Sequence, residues 1–293
     1  MAVVLTKDSK VVVQGATGHQ GTFHIGAMKT FGTNVVAGVT PGKGGQSVHD
    51  IPVFDSVQEA VKETGADVSL VFVPAPFAKD AVLEAVDAGV KTVIVITEHI
   101  PVHDAMDFVN YAKAKGVTLI GPNCPGAASP GENIKVGILP GMIFEPGPIG
   151  IASKSGTLTY EIVNALTEAG IGQTTCLGLG GDPCQGTNFI EALELFQADD
   201  ETKGIVLVGE IGGTAEEEAA EYIASGKVTK PVYAYIAGRT APEGKKMGHA
   251  GAIVQGDKGT AESKQKAFEA AGVKVAKFPT DIAQFVKADL GSA

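Results

Sequence analysis

The sequence predicts an α/β fold of two doubly wound domains. Strand-like apolar runs alternate with helix-competent stretches along the chain, the rhythm of a parallel sheet with crossover helices. The runs are continuous rather than alternating, as in Val68-Ser69-Leu70-Val71-Phe72-Val73 and Gly204-Ile205-Val206-Leu207-Val208. That pattern is expected when both faces of a sheet are covered. A Pro/Gly-rich segment breaks the rhythm once near the middle, and the alternation then starts again.

The first round opens with a strand at Val11–Val13 and a helix from about Gln20 to Phe31. Strands at 34–39, 68–73, 92–96 and 117–120 follow, with helices at 56–63, 76–88 and 104–115 between them. The segment 129–148 contains Pro130-Gly131, Pro140-Gly141 and Pro146-Gly147-Pro148. It reads as a domain junction, with a short strand at 135–139. The second round has strands at 149–152, 174–179, 204–208, 232–236 and 273–276. Its helices fall at 156–169, 188–196, 215–224, 260–271 and 280–288.

With 44% apolar and 19% charged residues, the 293-residue chain has material for a sizeable core. A net charge of −10 argues against nucleic-acid binding, which calls for a basic face. No apolar run is long enough to span a membrane. The start, MAVVLTKDSK, carries no secretory signal pattern. A bacterial cytoplasmic location fits it, and a processed mitochondrial chain would look the same. Cys124, Cys176 and Cys184 form no CxxC pair, so neither a disulfide framework nor a metal site is expected. Cys124 reads as a small buried residue in a tight turn.

Ligands of open parallel sheets gather beyond the carboxyl ends of strands, and the glycine-rich stretches follow strands here. Gly15-Ala16-Thr17-Gly18-His19-Gln20-Gly21 has the spacing G-x-x-G-x-x-G, a near variant of the dinucleotide fingerprint. Small residues let the backbone approach a pyrophosphate, and the helix that follows points free N–H groups at it. A NAD site would place an acid after the second strand, where this chain has Thr40-Pro41-Gly42-Lys43. Lys43 suits a phosphorylated ribose, as in NADP or coenzyme A; a solvated lysine on a turn reads equally well. Ile96-Thr97-Glu98 ends another strand and either lines the same crevice or caps the next helix. In the second round, Ser153-Lys154-Ser155-Gly156 opens a helix with anion-binding chemistry.

His249 stands out among six histidines. Its loop, Gly244-Lys245-Lys246-Met247-Gly248-His249-Ala250-Gly251, is glycine-rich, so a tetrahedral phosphoryl group can approach the ring. Glu210, in Glu210-Ile211-Gly212-Gly213, ends a strand and could orient one imidazole nitrogen while the other stays nucleophilic. A capping role is the alternative. Gly180-Gly181-Asp182-Pro183 reads as a turn beside the same crevice. Glu216-Glu217-Glu218 reads as a solvated helix face. His19 and His24 suit donor or surface roles, and His49, His99 and His103 read as loop residues without partners.

Together, GATGHQGTFH, GVTPGKGG, VPAPF, ITEHIP, GPNCPG, SKSGTLTYE, GLGGDP, GEIGG and GKKMGHAGAI appear in order along essentially the whole chain. The set resembles the α subunits of succinate–CoA ligases (succinyl-CoA synthetases), the His249 segment being its most specific part. The resemblance implies an N-terminal Rossmann-like CoA-binding domain over 1–128, a junction over 129–148, and a C-terminal flavodoxin-like phosphohistidine ligase domain over 149–293. Thr17, Gly18, His19, Gln20, Lys43, Ile96, Thr97 and Glu98 would contact coenzyme A, and Tyr160 the organic substrate. His249 would be phosphorylated transiently, with Glu210 orienting it. Ser153, Lys154, Ser155 and Gly156 would cradle the phosphoryl group. ATP or GTP with Mg2+ would be bound mainly by an ATP-grasp β subunit. Two other readings stand beside it: a malate–CoA or other dicarboxylate–CoA ligase of the same superfamily, and a non-catalytic CoA- or NADP-binding regulatory module.

Overall fold

The run Val11-Val12-Val13 forms the centre of a sheet because nothing in it needs water: all three side chains are fully buried. In this computed structural model, which describes residues 3–242, 244–245, 247–254 and 259–291, the chain divides into two units. One is Val4–Gly141 with Cys184–Gly186; the other holds Met142–Pro183 and the residues from Thr187 onward.

The first unit contains β1 (Val11–Gln14), β2 (Val35–Val39), β3 (Ser47–Val48), β4 (Ile51–Phe54), β5 (Val68–Val71), β6 (Thr92–Val95) and β7 (Thr118–Ile120). Its helices are α1 (His19–Phe31), α2 (Val57–Thr64), α3 (Ala75–Asp87) and α4 (Val102–Ala114). The sheet order is β3-β4-β2-β1-β5-β6-β7, and every neighbouring pair is parallel except β3 with β4. Counted along the chain, the parallel strands run 3-2-1-4-5-6, the Rossmann order. The antiparallel hairpin of β8 (Gly126–Ser129) and β9 (Ile134–Gly137) follows.

The second unit contains β10 (Pro146–Ser153), β11 (Gln173–Gly178), β12 (Gly204–Glu210), β13 (Val232–Ala237) and β14 (Lys274–Ala276). Its helices are α5 (Gly156–Glu168), α6 (Phe189–Ala198), α7 (Ala215–Tyr222), α8 (Ala261–Ala270) and α9 (Asp281–Leu290). The parallel order β14-β13-β12-β10-β11 is the flavodoxin order, 2-1-3-4-5 read from the other edge. Each sheet therefore has one switch point: between β1 and β5 in the first, and between β10 and β12 in the second.

Local chemistry sets the helix ends. Ser56 and Ser155 accept from the backbone N–H three residues on, and Asn188 forms a full capping box with Glu191. Gly32 and Gly65 close α1 and α2 in the left-handed conformation.

Three readings of the sequence change. β3 and β4 occupy a stretch without a predicted strand. The Pro/Gly-rich segment begins inside the β8–β9 hairpin, and its last residues already belong to β10. His103 lies in α4 rather than a loop, because that helix starts directly after Pro101, whose fixed φ suits a helix entry.

Candidate functional site

At the first switch point the backbone turns at Gly15 (φ 79°) and enters α1 after Gly18, with no acidic residue in the first turn. The helix therefore opens with uncompensated N–H groups, a setting for an anion. Gly21 faces the Gly15 carbonyl so closely that a Cβ there would overlap it. This third glycine permits close helix–strand packing, the same need that fixes the last glycine of the dinucleotide fingerprint. Gly18, His19 and Gln20 are exposed. Thr17 is bound through both its N–H and its hydroxyl to the Thr40 Oγ1, at 3.3 and 3.2 Å. A cavity of about 450 Å³ opens here, lined by the ends of β1, β2 and β5 and by Pro41, Pro74, Phe77 and Asp80. Lys43 is exposed on the loop after β2. Thr97 donates to the Val73 carbonyl at 2.7 Å, on the strand end that contributes to the same cavity wall.

At the second switch point, Ser153 ends β10, Lys154 follows it, and Ser155 caps α5 with its side chain on the Leu158 N–H at 3.3 Å. This helix too has no acidic residue in its first turn. Glu210 is the last residue of β12. His249 reaches it from the loop after β13: its Nδ1 lies 2.7 Å from Glu210 Oε2. The His249 ring rests on Gly181, where any Cβ would occupy the ring's own position. The Gly251 N–H donates to the Gly181 carbonyl at 3.4 Å. The side chains of His249 and Glu210 are 27% and 10% exposed, so the pair is sheltered and the ring still reaches solvent.

The electrostatics favour a charged ring. The hydrogen bond that the ring donates to Glu210 raises the His249 pKa above its ordinary 6.5 against the opposing effect of burial; Asp182 adds to the rise and Lys154 opposes it. With Nδ1 committed to the carboxylate, Nε2 is the nitrogen left to react.

Residues 6–99 match the CoA binding domain family model, and residues 152–274 match the CoA-ligase model. The chain is 58% identical over 286 residues to "Succinate--CoA ligase [ADP-forming] subunit alpha 2" of Archaeoglobus fulgidus, covering 98% of this chain and 99% of that one. It belongs to the family of succinate–CoA ligase α subunits. The α subunit of the Aquifex aeolicus enzyme is also 58% identical, over 98% of this chain and 94% of its own. An ATP citrate lyase from Methanothrix soehngenii, solved with citrate and coenzyme A, shares the fold with a TM-score of 0.88 at 22% identity. This chain spans 51% of that longer one.

Within this family frame, the structure brings Glu210 and His249 together, with Lys154 near enough for its charge to act on the ring. Ser153 and Lys154 are buried, and Ser155, Gly156 and Tyr160 are half-buried around the start of α5. Glu98 does not cap α4, whose entry residue is Pro101; it is exposed beside His99. His49 has a partner, the Thr22 carbonyl at 3.0 Å. His24 is half-buried and stacked on Phe72, not a surface residue. The Glu216–Glu218 run is only in part a solvated face: Glu218 is exposed and Glu217 half-buried. Glu216 is fully buried, because α7 packs its first turn against the end of β12, where the ammonium groups of Lys154 and Lys264 neutralise the carboxylate. Pro41 and Phe77 were not singled out in the sequence, and Gly181 was read only as part of a turn beside the crevice, not as the seat of the ring.

Proposed function

We propose that this chain is the phosphoryl-carrying α subunit of a nucleotide-dependent succinate–CoA ligase, an acid–thiol ligase. It makes succinyl-CoA reversibly through a phosphohistidine and an acyl phosphate. The observation that carries the reading is the 2.7 Å contact between Glu210 Oε2 and His249 Nδ1, in a loop seated on Gly181 with Lys154 close by.

A thiol cannot displace oxygen directly from a carboxylate, because the oxygen is a poor leaving group; making an acyl phosphate removes that obstacle. His249 Nε2 attacks the γ-phosphorus, an N–P bond forms, and the bond to the departing nucleoside diphosphate breaks. The Nδ1 proton stays on the Glu210 side of the ring. A succinate carboxylate oxygen then takes the phosphoryl group as the N–P bond breaks. The CoA thiol, giving up its proton, attacks the acyl carbon and inorganic phosphate leaves. Ser153, Lys154, Ser155 and Gly156 hold the travelling charge at the start of α5, where a helix N-terminus contributes about 1 kcal/mol or somewhat more when partly buried. Tyr160 faces the organic acid.

Coenzyme A belongs to the domain 1–128, with Thr17 to Gln20, Lys43 and Ile96 to Glu98 as its contacts. The cavity beside Gly15, with its apolar walls and adjoining helix start, fits a ligand carrying both a flat apolar group and phosphates. The phosphohistidine domain is 149–293, with 129–148 as the junction. ATP or GTP with Mg2+ is held by an ATP-grasp β subunit, and the assembly works in the bacterial cytoplasm.

Co-purification with that β subunit, followed by a thioester assay over succinate, malate and citrate with each nucleotide, tests the reading. Succinate should give the highest kcat/KM. A clear preference for malate would move the chain to the dicarboxylate alternative, and CoA binding with no thioester from any acid would leave only a binding module.

A further inference from the structure

Glu216 opens α7, yet it is fully buried. Its Oε1 accepts the Glu210 backbone N–H at 3.1 Å and lies 2.9 Å from Lys154 Nζ. Its Oε2 pairs with Lys264 Nζ from α8, a side chain with no exposure at all. The same Lys264 ammonium donates to the Gly212 carbonyl at 2.9 Å and lies 3.4 Å from Glu217. The α carbon of Gly212, in turn, packs against the Gly251 carbonyl of the His249 loop. One carboxylate thus joins the ends of β10 and β12 to α8. Two of its three polar partners, the Glu210 N–H and Lys154, belong to the His249 site; the third, Lys264, holds Gly212, against which the His249 loop packs.

Stability alone gives a poor reason for such a cluster. Buried ion pairs can often be replaced by apolar residues of similar volume at no net cost. A role in placement accounts for what stability does not, since the backbone of Glu210 and the ammonium of Lys154 both end on Glu216. We propose that Glu216 and Lys264 are positioning residues for phosphoryl transfer at His249. They fix Glu210 from behind through its backbone and hold the Lys154 ammonium beside the ring. The inference rests on the phosphohistidine reading above.

Among the described residues, Glu210, Asp182 and Lys154 are the charged groups that act on the ring. Removing the Glu216 charge leaves Lys154 without its counter-ion, so the ring's protonation midpoint should fall. The test uses the full chain with its β subunit and radiolabelled ATP, in two variants: Glu216→Gln, and the charge-balanced double Glu216→Gln/Lys264→Met. Both should phosphorylate on the order of tenfold to a hundredfold more slowly at saturating ATP, with KM for ATP unchanged. The His249 titration, read by NMR of ring-labelled histidine, should move to lower pH. If the folded double variant labels at the wild-type rate with an unmoved titration, the inference fails. It fails as well if the double variant does not fold, since the cluster would then serve stability. Absence of label on the wild-type chain would instead overturn the phosphohistidine reading itself.

Discussion

In the proposed reaction, the His249–Glu210 contact makes the chemistry depend on pH in a definite direction. Because the hydrogen bond to Glu210 raises the ring's pKa, the neutral, nucleophilic form is depleted below a midpoint that lies above 6.5. Phosphoryl acceptance should rise as pH climbs through that midpoint. Glu210→Gln should move the midpoint down and slow phosphorylation at every pH by at least about tenfold, the range typical of a lost acid–base or orienting group; a pH–rate profile of single-turnover labelling checks both. A profile in the variant that keeps the wild-type midpoint would contradict the assignment. Gly181→Ala offers a sharper steric probe: its Cβ would occupy the ring's position, so labelling should collapse while the melting temperature stays close to wild type. Lys135, only 2% exposed, has its pKa pushed down to about 8 by burial. The unfolded chain therefore holds that proton more tightly, which costs about 3 kcal/mol at pH 7. Lys135→Met should gain stability at pH 7, and the gain should shrink as pH rises from about 8 toward 10, because wild-type stability climbs across that window. Denaturant melts at both ends of it decide the matter. His249 was legible in the sequence because glycines surrounded it. Glu216 was not: a run of three glutamates reads as solvated, and its partner Lys264 lies 48 residues away in the chain.

At the level of elements, both sheets follow from continuous apolar runs, and helix boundaries follow from visible caps. The capping box of α6 is the clearest case. Asn188→Ala should cost about 1 kcal/mol in chemical denaturation and leave phosphorylation unchanged, because α6 holds none of the groups on the ring. A loss of labelling in that variant would show that α6 couples to the site. β3 and β4 were not legible because two-residue and four-residue strands, one of them carrying Pro52, give no hydrophobic period to detect. β8, with its Gly-Ala-Ala-Ser sequence, has low strand propensity and forms because β9 supplies its partner residue for residue.

For the whole molecule, the proposed function divides the labour between the two switch points, with a cavity and an anion-ready helix in one unit and the histidine in the other. CoA at about a hundred times its Kd should stabilise the fold by about 2.7 kcal/mol through mass action. Lys43→Ala should weaken that protection in a salt-dependent way, as expected for an exposed cation meeting phosphate. Calorimetry with and without CoA would refute the assignment if no transition moved. The measurement that bears most directly on the central claim is mapping of the phosphoryl group after the chain and its β subunit meet labelled ATP. The account predicts one acid-labile, base-stable phosphate on His249, discharged by succinate with CoA and absent from His249→Ala. Full labelling of His249→Ala, or a phosphate mapped to any other residue, would contradict it.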